Sequence, residues 1–188
     1  MIDHFSWLAP VYEWFIPPPD PDEYLKFLNP DPSFRLLDAG GGTGRVAMQL
    51  KSVYAQIIVA DVNRKMLHQA IQKPGLQSVN GHIETLPFSN ESFHHVIVID
   101  ALHHFCDHQE SLEEIIRVLK PGGKLLIHEP DIQKLHVKII AFFEKIALMR
   151  SQFLAPVEIQ NIFSGMNLHC TIHRDDGFSA RLLVEKPR

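Results

Sequence analysis

The residues with the clearest chemical potential lie in "LLDAGGGTG", Leu36 to Gly44. An apolar run ends in one acid, Asp38, and glycines follow at Gly40, Gly41, Gly42 and Gly44. Glycine permits φ > 0 and lets a ligand approach the backbone with no Cβ in the way. One glycine would suffice for a sharp turn; this many directly after an apolar run point to a ligand. A dinucleotide fingerprint needs a third glycine three positions after the second. Counted from Gly40 and Gly42, that position is Arg45, so the spacing fails. Asp38 would also repel a pyrophosphate, whereas it would help to hold an ammonium or sulfonium group.

A second acid, Asp61, closes the apolar run "QIIVAD". A carboxylate only accepts hydrogen bonds, which suits the two hydroxyls of a ribose. Together with the glycine turn it suggests a nucleoside carrying a cation. His103, His104, Cys106 and His108 form a further cluster of potential metal ligands. Softer divalent metals favour imidazole and thiolate, but a stable site needs matched ligands from more than one loop. A polar loop leading into a helix is the simpler reading, and no metal is expected.

These groups must be positioned by regular elements. "FRLLDA", "QIIVAD", "HHVIVID" and "GGKLLIHE" are apolar runs with few interruptions, as expected of strands buried on both faces. Helical stripes lie between them: Val46, Leu50 and Val53; Met66 and Ala70 with Leu67 and Ile71; Leu112, Ile115, Ile116 and Leu119. Asp107 with Glu110 predicts the start of the third helix, and Pro121-Gly122-Gly123 its end. Strand–helix alternation implies right-handed crossovers and a mostly parallel sheet. In the C-terminal part, Leu168, Cys170 and Ile172, then Ala180, Leu182 and Val184, alternate with polar residues around "RDDG". This predicts an antiparallel pair that finishes the sheet. "PPPDPDEY", Pro17 to Tyr24, reads as a stiff connector behind an aromatic-rich lead, "HFSWLAPVYEWF". Ile139, Phe142, Phe143, Ile146 and Met149 form an apolar face that packs on the sheet or lines an acceptor pocket.

The 188 residues suit one domain with a sizeable core, 45% hydrophobic and 21% charged. A net charge of −4 gives no general attraction to nucleic acid or anionic lipid. Two cysteines, no visible signal peptide and no apolar run of membrane-spanning length lead to an expectation of the reducing cytosol.

"LLDAGGGTGRVAMQL" resembles the first motif of class I S-adenosylmethionine-dependent methyltransferases. "VADVNRKML", "HIETLPFSNESFHHVIVIDALHHF" and "LEEIIRVLKPGGKLLIHEP" resemble their later segments in order, in the type 11, ubiquinone/menaquinone-methylase-like branch. The resemblance runs from about Asp3 to Pro187. It implies an α/β, Rossmann-like three-layer sandwich with a seven-stranded, mostly parallel sheet in order 3-2-1-4-5-7-6, strand 7 antiparallel. It implies a single domain over 1–188: an N-terminal lid helix and Pro-rich connector over 1–30, a cofactor-binding core over 34–130, and substrate-side helices with the hairpin over 131–188. The implied cofactor is S-adenosyl-L-methionine and the implied partner a small-molecule methyl acceptor, without nucleic acid or a membrane span.

Residue by residue, the resemblance implies that Asp38, Gly40 and Gly42 line the methionine part of the cofactor and that Asp61 holds the ribose. Val62 and Met66 would pack near the adenine, and Asp100 would face the amino-acid end. Tyr12 matches a family tyrosine that meets the sulfonium or the carboxylate. Two positions depart from the pattern: His82 replaces an acid that accepts from the adenine amine, with the Ile83 backbone as a further contact, and His94 replaces the acid of "SFD". Methyl transfer is an in-line displacement that needs a base only if the acceptor must lose a proton. His104, His128 and Glu129 are the candidates. Two alternatives stand beside this reading: a non-catalytic cofactor-binding protein with a degenerate site, and an NAD-linked oxidoreductase, which Arg45 disfavours.

Overall fold

The structure is a computed structural model that describes residues 20–132, 152–174 and 179–188. The aromatic lead with Tyr12, the apolar face from Ile139 to Met149 and the Asp-Gly turn at Gly177 lie outside the described residues.

Seven strands form one sheet in the order β3-β2-β1-β4-β5-β7-β6. They are β1 (Arg35–Ala39), β2 (Gln56–Asp61), β3 (Leu76–Asn80), β4 (Phe93–Ile99), β5 (Leu119–Pro130), β6 (Cys170–Arg174) and β7 (Ser179–Glu185). Strands β1 to β5 pair in parallel, and β7 runs antiparallel to both β5 and β6. The topology expected from the resemblance is therefore the one observed.

Period-two alternation splits the central strands between two cores. Leu37, Ile58, Ala60, Val96 and Val98 point to one face, where Leu112, Ile115 and Phe163 cover them. Leu36, Ile57, Val59 and Ile97 point to the other, under Tyr24, Leu28, Val46, Leu50, Leu67 and Ala70. The covering helices are α1 (Pro21–Leu28), α2 (Arg45–Leu50), α3 (Arg64–Ile71), α4 (His108–Val118) and α5 (Pro156–Gly165).

Three local readings are corrected. The Pro-rich stretch is not only a connector: Asp20 accepts from the Asp22 N–H, and Pro21 opens α1. Proline suits the first turn of a helix because its missing N–H would have no partner there. Helix α4 begins as expected, with Asp107 accepting from the Glu110 N–H at 2.9 Å. It ends at Val118, before Pro121-Gly122-Gly123, and that tripeptide lies within β5. The register between Phe93 and His95 shifts to accommodate it. Ile71, read as part of a buried stripe, is 57% exposed because α3 ends there. Among the described residues, no helix is long and apolar enough to cross a membrane.

Candidate functional site

Strand β1 lies between β2 and β4, so the chain reverses its direction of growth across the sheet at this point. The carboxyl ends of the strands flanking such a switch diverge and leave a crevice. A cavity of about 350 Å³ opens there, within the range of small-molecule sites.

The glycine turn forms its floor. Gly40 and Gly41 donate to the Ala60 carbonyl of β2, at 2.8 and 3.3 Å. Gly40 has φ +74, and a Cβ there would meet Ala101 Cβ at 2.7 Å and Phe105 Cε1 at 2.9 Å. At Gly42 a Cβ would point between Met66 Cε, 3.3 Å away, and Asp61 Oδ2, 3.9 Å away. Both neighbours line the cavity, so a side chain at Gly42 would occupy ligand space. That glycine-made gap beside a carboxylate fits a nucleoside lying against the backbone.

Asp61 ends β2 with both oxygens oriented. Oδ2 accepts from the Gly42 N–H at 2.9 Å and Oδ1 from the Asn63 N–H at 2.7 Å. A carboxylate oxygen can accept more than one hydrogen bond, which suits a ribose hydroxyl. Asn63 caps α3, accepting from the Lys65 and Met66 N–H groups, and thereby sets Met66 on the cavity wall. Val62 is 55% exposed, a large apolar surface at the cavity mouth. Ile83 is buried opposite, in a short 3₁₀ turn that His82 precedes. His82 is exposed, its Nδ1 3.8 Å from Glu84 Oε2. Glu84 Oε1 accepts from the Cys106 and Asp107 N–H groups and from Ser111, tying this turn to the loop after β4.

On the β4 side stand Ile99, Asp100, Ala101, His104 and Phe105. Arg45 reaches across from the start of α2 and pairs with Asp100 at 2.8 Å. His104 is the histidine of the cluster that lines the cavity, and burial, then the neighbouring His103, push its imidazole down to about 3. It is neutral at physiological pH.

The structure thus gathers Gly40, Gly42, Asp61, Val62, Met66, His82, Ile83, Asp100 and His104 around one cavity. Asp38, His128 and Glu129 are placed elsewhere. Asp38 is 2% exposed, turned under the turn into the space where a Gly41 Cβ would sit, 2.4 Å from Asp38 Cγ. Burial first, with Asp61 adding to it and Arg45 opposing, pushes its carboxyl up to about 7, and Oδ2 has no hydrogen-bond partner among the described residues. Asp38 backs the turn instead of lining the cleft. His128 is 8% exposed; its Nδ1 meets the Tyr24 hydroxyl at 2.8 Å and its Nε2 the Ser179 hydroxyl at 2.6 Å. Glu129 is 4% exposed, with Oε1 accepting from the Ala101 and Leu102 N–H groups at 2.7 Å. Its Oε2 holds His103 Nδ1 at 2.5 Å. Glu129 thus braces the loop that carries His104, while His128 links α1 to β7.

Sequence reasoning passed over Arg45, counted there only as a missing glycine, and over Phe105 and Asn63. Arg45 had a signal: a cation directly after a glycine turn, at a helix start where a cation is not favoured. The His94 departure has a structural account. Its ring stacks on Phe34 with centroids 4.4 Å apart, and Nδ1 accepts from the Arg35 N–H at 3.1 Å. Among the described residues, no group of three or more His, Cys, Asp or Glu side chains is arranged to hold a metal ion.

The family model for the type 11 methyltransferase domain matches residues 37–127, the span that builds this cavity. A ubiquinone/menaquinone biosynthesis C-methyltransferase of Legionella pneumophila is 34% identical over 108 residues, 52% of this chain and 43% of the relative. One from Wigglesworthia glossinidia brevipalpis is 33% identical over 152 residues, 76% of this chain and 58% of the relative. The chain therefore spans about half the length of the curated relatives it matches. Among solved structures, a putative methyltransferase of Haloferax volcanii, in complex with the Trm112 methyltransferase activator, superposes with a TM-score of 0.82 over 100% of both chains at 17% identity. A Thermotoga maritima S-adenosylmethionine-dependent methyltransferase gives 0.76 over 97% of this chain and 98% of its own, at 21% identity. The structural likeness shows the fold, the sequence likeness falls on the cavity-building segment, and the domain that this segment builds belongs to the class I S-adenosylmethionine-dependent methyltransferases of type 11.

Proposed function

We propose that the chain transfers a methyl group from S-adenosylmethionine to a small molecule with an apolar part. The observation that carries this reading is the division of one cavity into two sides. On the β2 side, Asp61 offers acceptor oxygens, with the apolar surfaces of Val62, Met66 and Ile83 beside it. This suits a ribose and a purine. On the β4 side, Ala101, His104 and Phe105 offer a mainly apolar wall with one neutral imidazole. This suits an acceptor presented across the glycine turn.

When bound, the cofactor supplies a methyl group already activated on a positively charged sulfur. What remains for the protein is to hold two partners in line and to exclude water. Asp61 holds the ribose, and the Gly42 gap lets the nucleoside lie on the backbone. His82 accepts from the adenine amine in the place of the family's acid, and Asp100 faces the amino-acid end. Tyr12 lies outside the described residues; the resemblance implies it as a further contact to the sulfonium or the carboxylate. His104 is too weakly basic to remove a proton from an unactivated acceptor, since a useful base titrates near the working pH. Its role is to accept a hydrogen bond and orient the acceptor.

The curated relatives named above are ubiquinone/menaquinone biosynthesis C-methyltransferases, which makes an aromatic quinol ring the first acceptor to test. Incubation with S-adenosylmethionine and a panel of quinols, phenols and amines, read by release of S-adenosylhomocysteine and by product mass, tests the proposal. Turnover that requires an apolar aromatic acceptor supports it. Cofactor binding without turnover on any class would favour the second reading, a non-catalytic binder, for which the exposed His82 in place of the family's acid is the motivating observation.

A further inference from the structure

Residues 101–107 lie between β4 and α4, and Ala101, His104, Phe105 and Cys106 among them line the cavity. Loops that meet ligands are usually the more mobile parts of a fold. This one is held at both ends by carboxylates from other elements. Glu129, at the tip of β5, accepts from the Ala101 and Leu102 N–H groups at 2.7 Å. Glu84 accepts from the Cys106 and Asp107 N–H groups at 2.9 and 3.2 Å. His104 and Phe105 stand between the two anchors.

His103 is buried beside them and joins three elements. Its Nδ1 meets Glu129 Oε2 at 2.5 Å. The Phe153 ring is stacked on its own, with centroids 4.4 Å apart and planes at 12°. The His104 ring is tilted against it, with centroids 4.0 Å apart. Its carbonyl accepts the Gln152 N–H at 2.7 Å, and residues 152–155 lead into α5. The tip of β5, the loop after β4 and the approach to α5 therefore meet at one side chain. An imidazole bonded to a carboxylate and stacked on one face cannot turn without breaking one of these contacts. Glu129 is itself buried, so it acts on the cavity through the residues that it holds.

We propose that His103 is a positioning residue for the methyl acceptor: fixed by Glu129 and Phe153, it sets the direction of His104 on the acceptor side of the cavity. The inference rests on the methyl-transfer reading above and deepens it, since it names what keeps the acceptor in line with the methyl group. The cofactor side has separate support, because Asp61 is oriented by the Gly42 and Asn63 N–H groups and Met66 by the Asn63 cap. Loosening the clamp should therefore be felt by the acceptor and not by the cofactor.

Two variants test this, each reaching His104 through His103. Glu129→Gln keeps an oxygen for the backbone N–H groups but gives up the charge that holds the imidazole. Phe153→Leu keeps bulk but loses the stacked ring. Steady-state kinetics use the acceptor that turns over best on the panel above. Both variants are expected to lower kcat/KM for that acceptor by at least about tenfold, since about 1 Å of misplacement can cost up to about a hundredfold. S-adenosylhomocysteine affinity, read by calorimetry, is expected to stay within about twofold. An unchanged kcat/KM in both variants overturns the proposal, and so does a matching loss of S-adenosylhomocysteine affinity. The ring resonances of His104, in a chain labelled at histidine and assigned with His104→Gln, give a second readout that needs neither acceptor nor cofactor. They are expected to shift in both variants; unmoved resonances overturn the proposal, and this readout decides if no acceptor on the panel turns over. Should Glu129→Gln fail to fold, Phe153→Leu decides, because Phe153 is only half-buried. Failure of the unaltered chain to bind S-adenosylhomocysteine overturns the methyl-transfer reading, and the acceptor role with it, so calorimetry tells the two failures apart.

Discussion

Asp61 Oδ2 accepts the N–H of Gly42 at 2.9 Å, so the acid at the tip of β2 anchors the turn that follows β1. In the function proposed above, the same carboxylate receives a ribose. Turn geometry and ligand affinity are therefore coupled through one side chain.

Asp61→Ala should weaken S-adenosylhomocysteine binding by roughly 1–3 kcal/mol, because both the ribose bonds and the Gly42 anchor are lost. Calorimetry checks this. Asp61→Asn, whose amide oxygen still accepts from Gly42, should lose less. Equal affinity for Asp61→Ala and the unaltered chain would remove Asp61 from the site.

Gly40→Ala should destabilise the fold by roughly 2–4 kcal/mol, from the positive φ and the collision with Ala101 and Phe105 together. Urea denaturation measures it. A loss below about 0.5 kcal/mol would show that the loop after β4 moves away without cost.

Asp38 predicts a pH dependence with a definite sign. Its folded carboxyl titrates at about 7, raised above the ordinary value near 4 chiefly by burial. Between those values the folded chain keeps a proton that the unfolded chain has released. Stability contributed by the protonated acid is therefore full below pH 4 and is lost as pH rises towards 7. Asp38→Asn lacks this dependence. Its stability relative to the unaltered chain, measured without ligand, should improve as pH is raised through the window; parallel profiles would contradict the assignment.

His128→Ala should cost roughly 2–4 kcal/mol, since it removes the ring that the buried Tyr24 hydroxyl bonds and one partner of Ser179. Cofactor affinity should stay within twofold. A variant of full stability that binds cofactor poorly would place the ring at the cleft after all.

The frame of the molecule was legible because its causes are local. Apolar runs buried on both faces announced β1, β2, β4 and β5, and alternation around Cys170 and Leu182 announced the closing pair. Asp61 and Asp100 stand at strand ends, where topology alone delivers them to the cavity. What could not be read is side-chain direction after a strand ends. Asp38 and Asp61 look equivalent in sequence, but one turns under the glycines and the other into the cleft. His128 and Glu129 also end a strand at the correct edge. Their partners, Tyr24 and Ser179 for one and the Ala101–His103 loop for the other, come from distant parts of the chain, so no neighbouring residue marks them as structural. Arg45 was hidden for the same reason, since its partner Asp100 is fixed by a backbone conformation that the sequence does not display.

The central claim is that the crevice between the tips of β2 and β4 takes S-adenosylmethionine. A crystal structure of the chain grown with S-adenosylhomocysteine at saturating concentration tests it most directly. The account predicts the ribose hydroxyls on the Asp61 carboxylate, the purine between Val62 and Ile83, and the amino-acid end beside Arg45 and Asp100. Density for the compound at any other place, or a crevice that stays free of it at that concentration, would contradict the account.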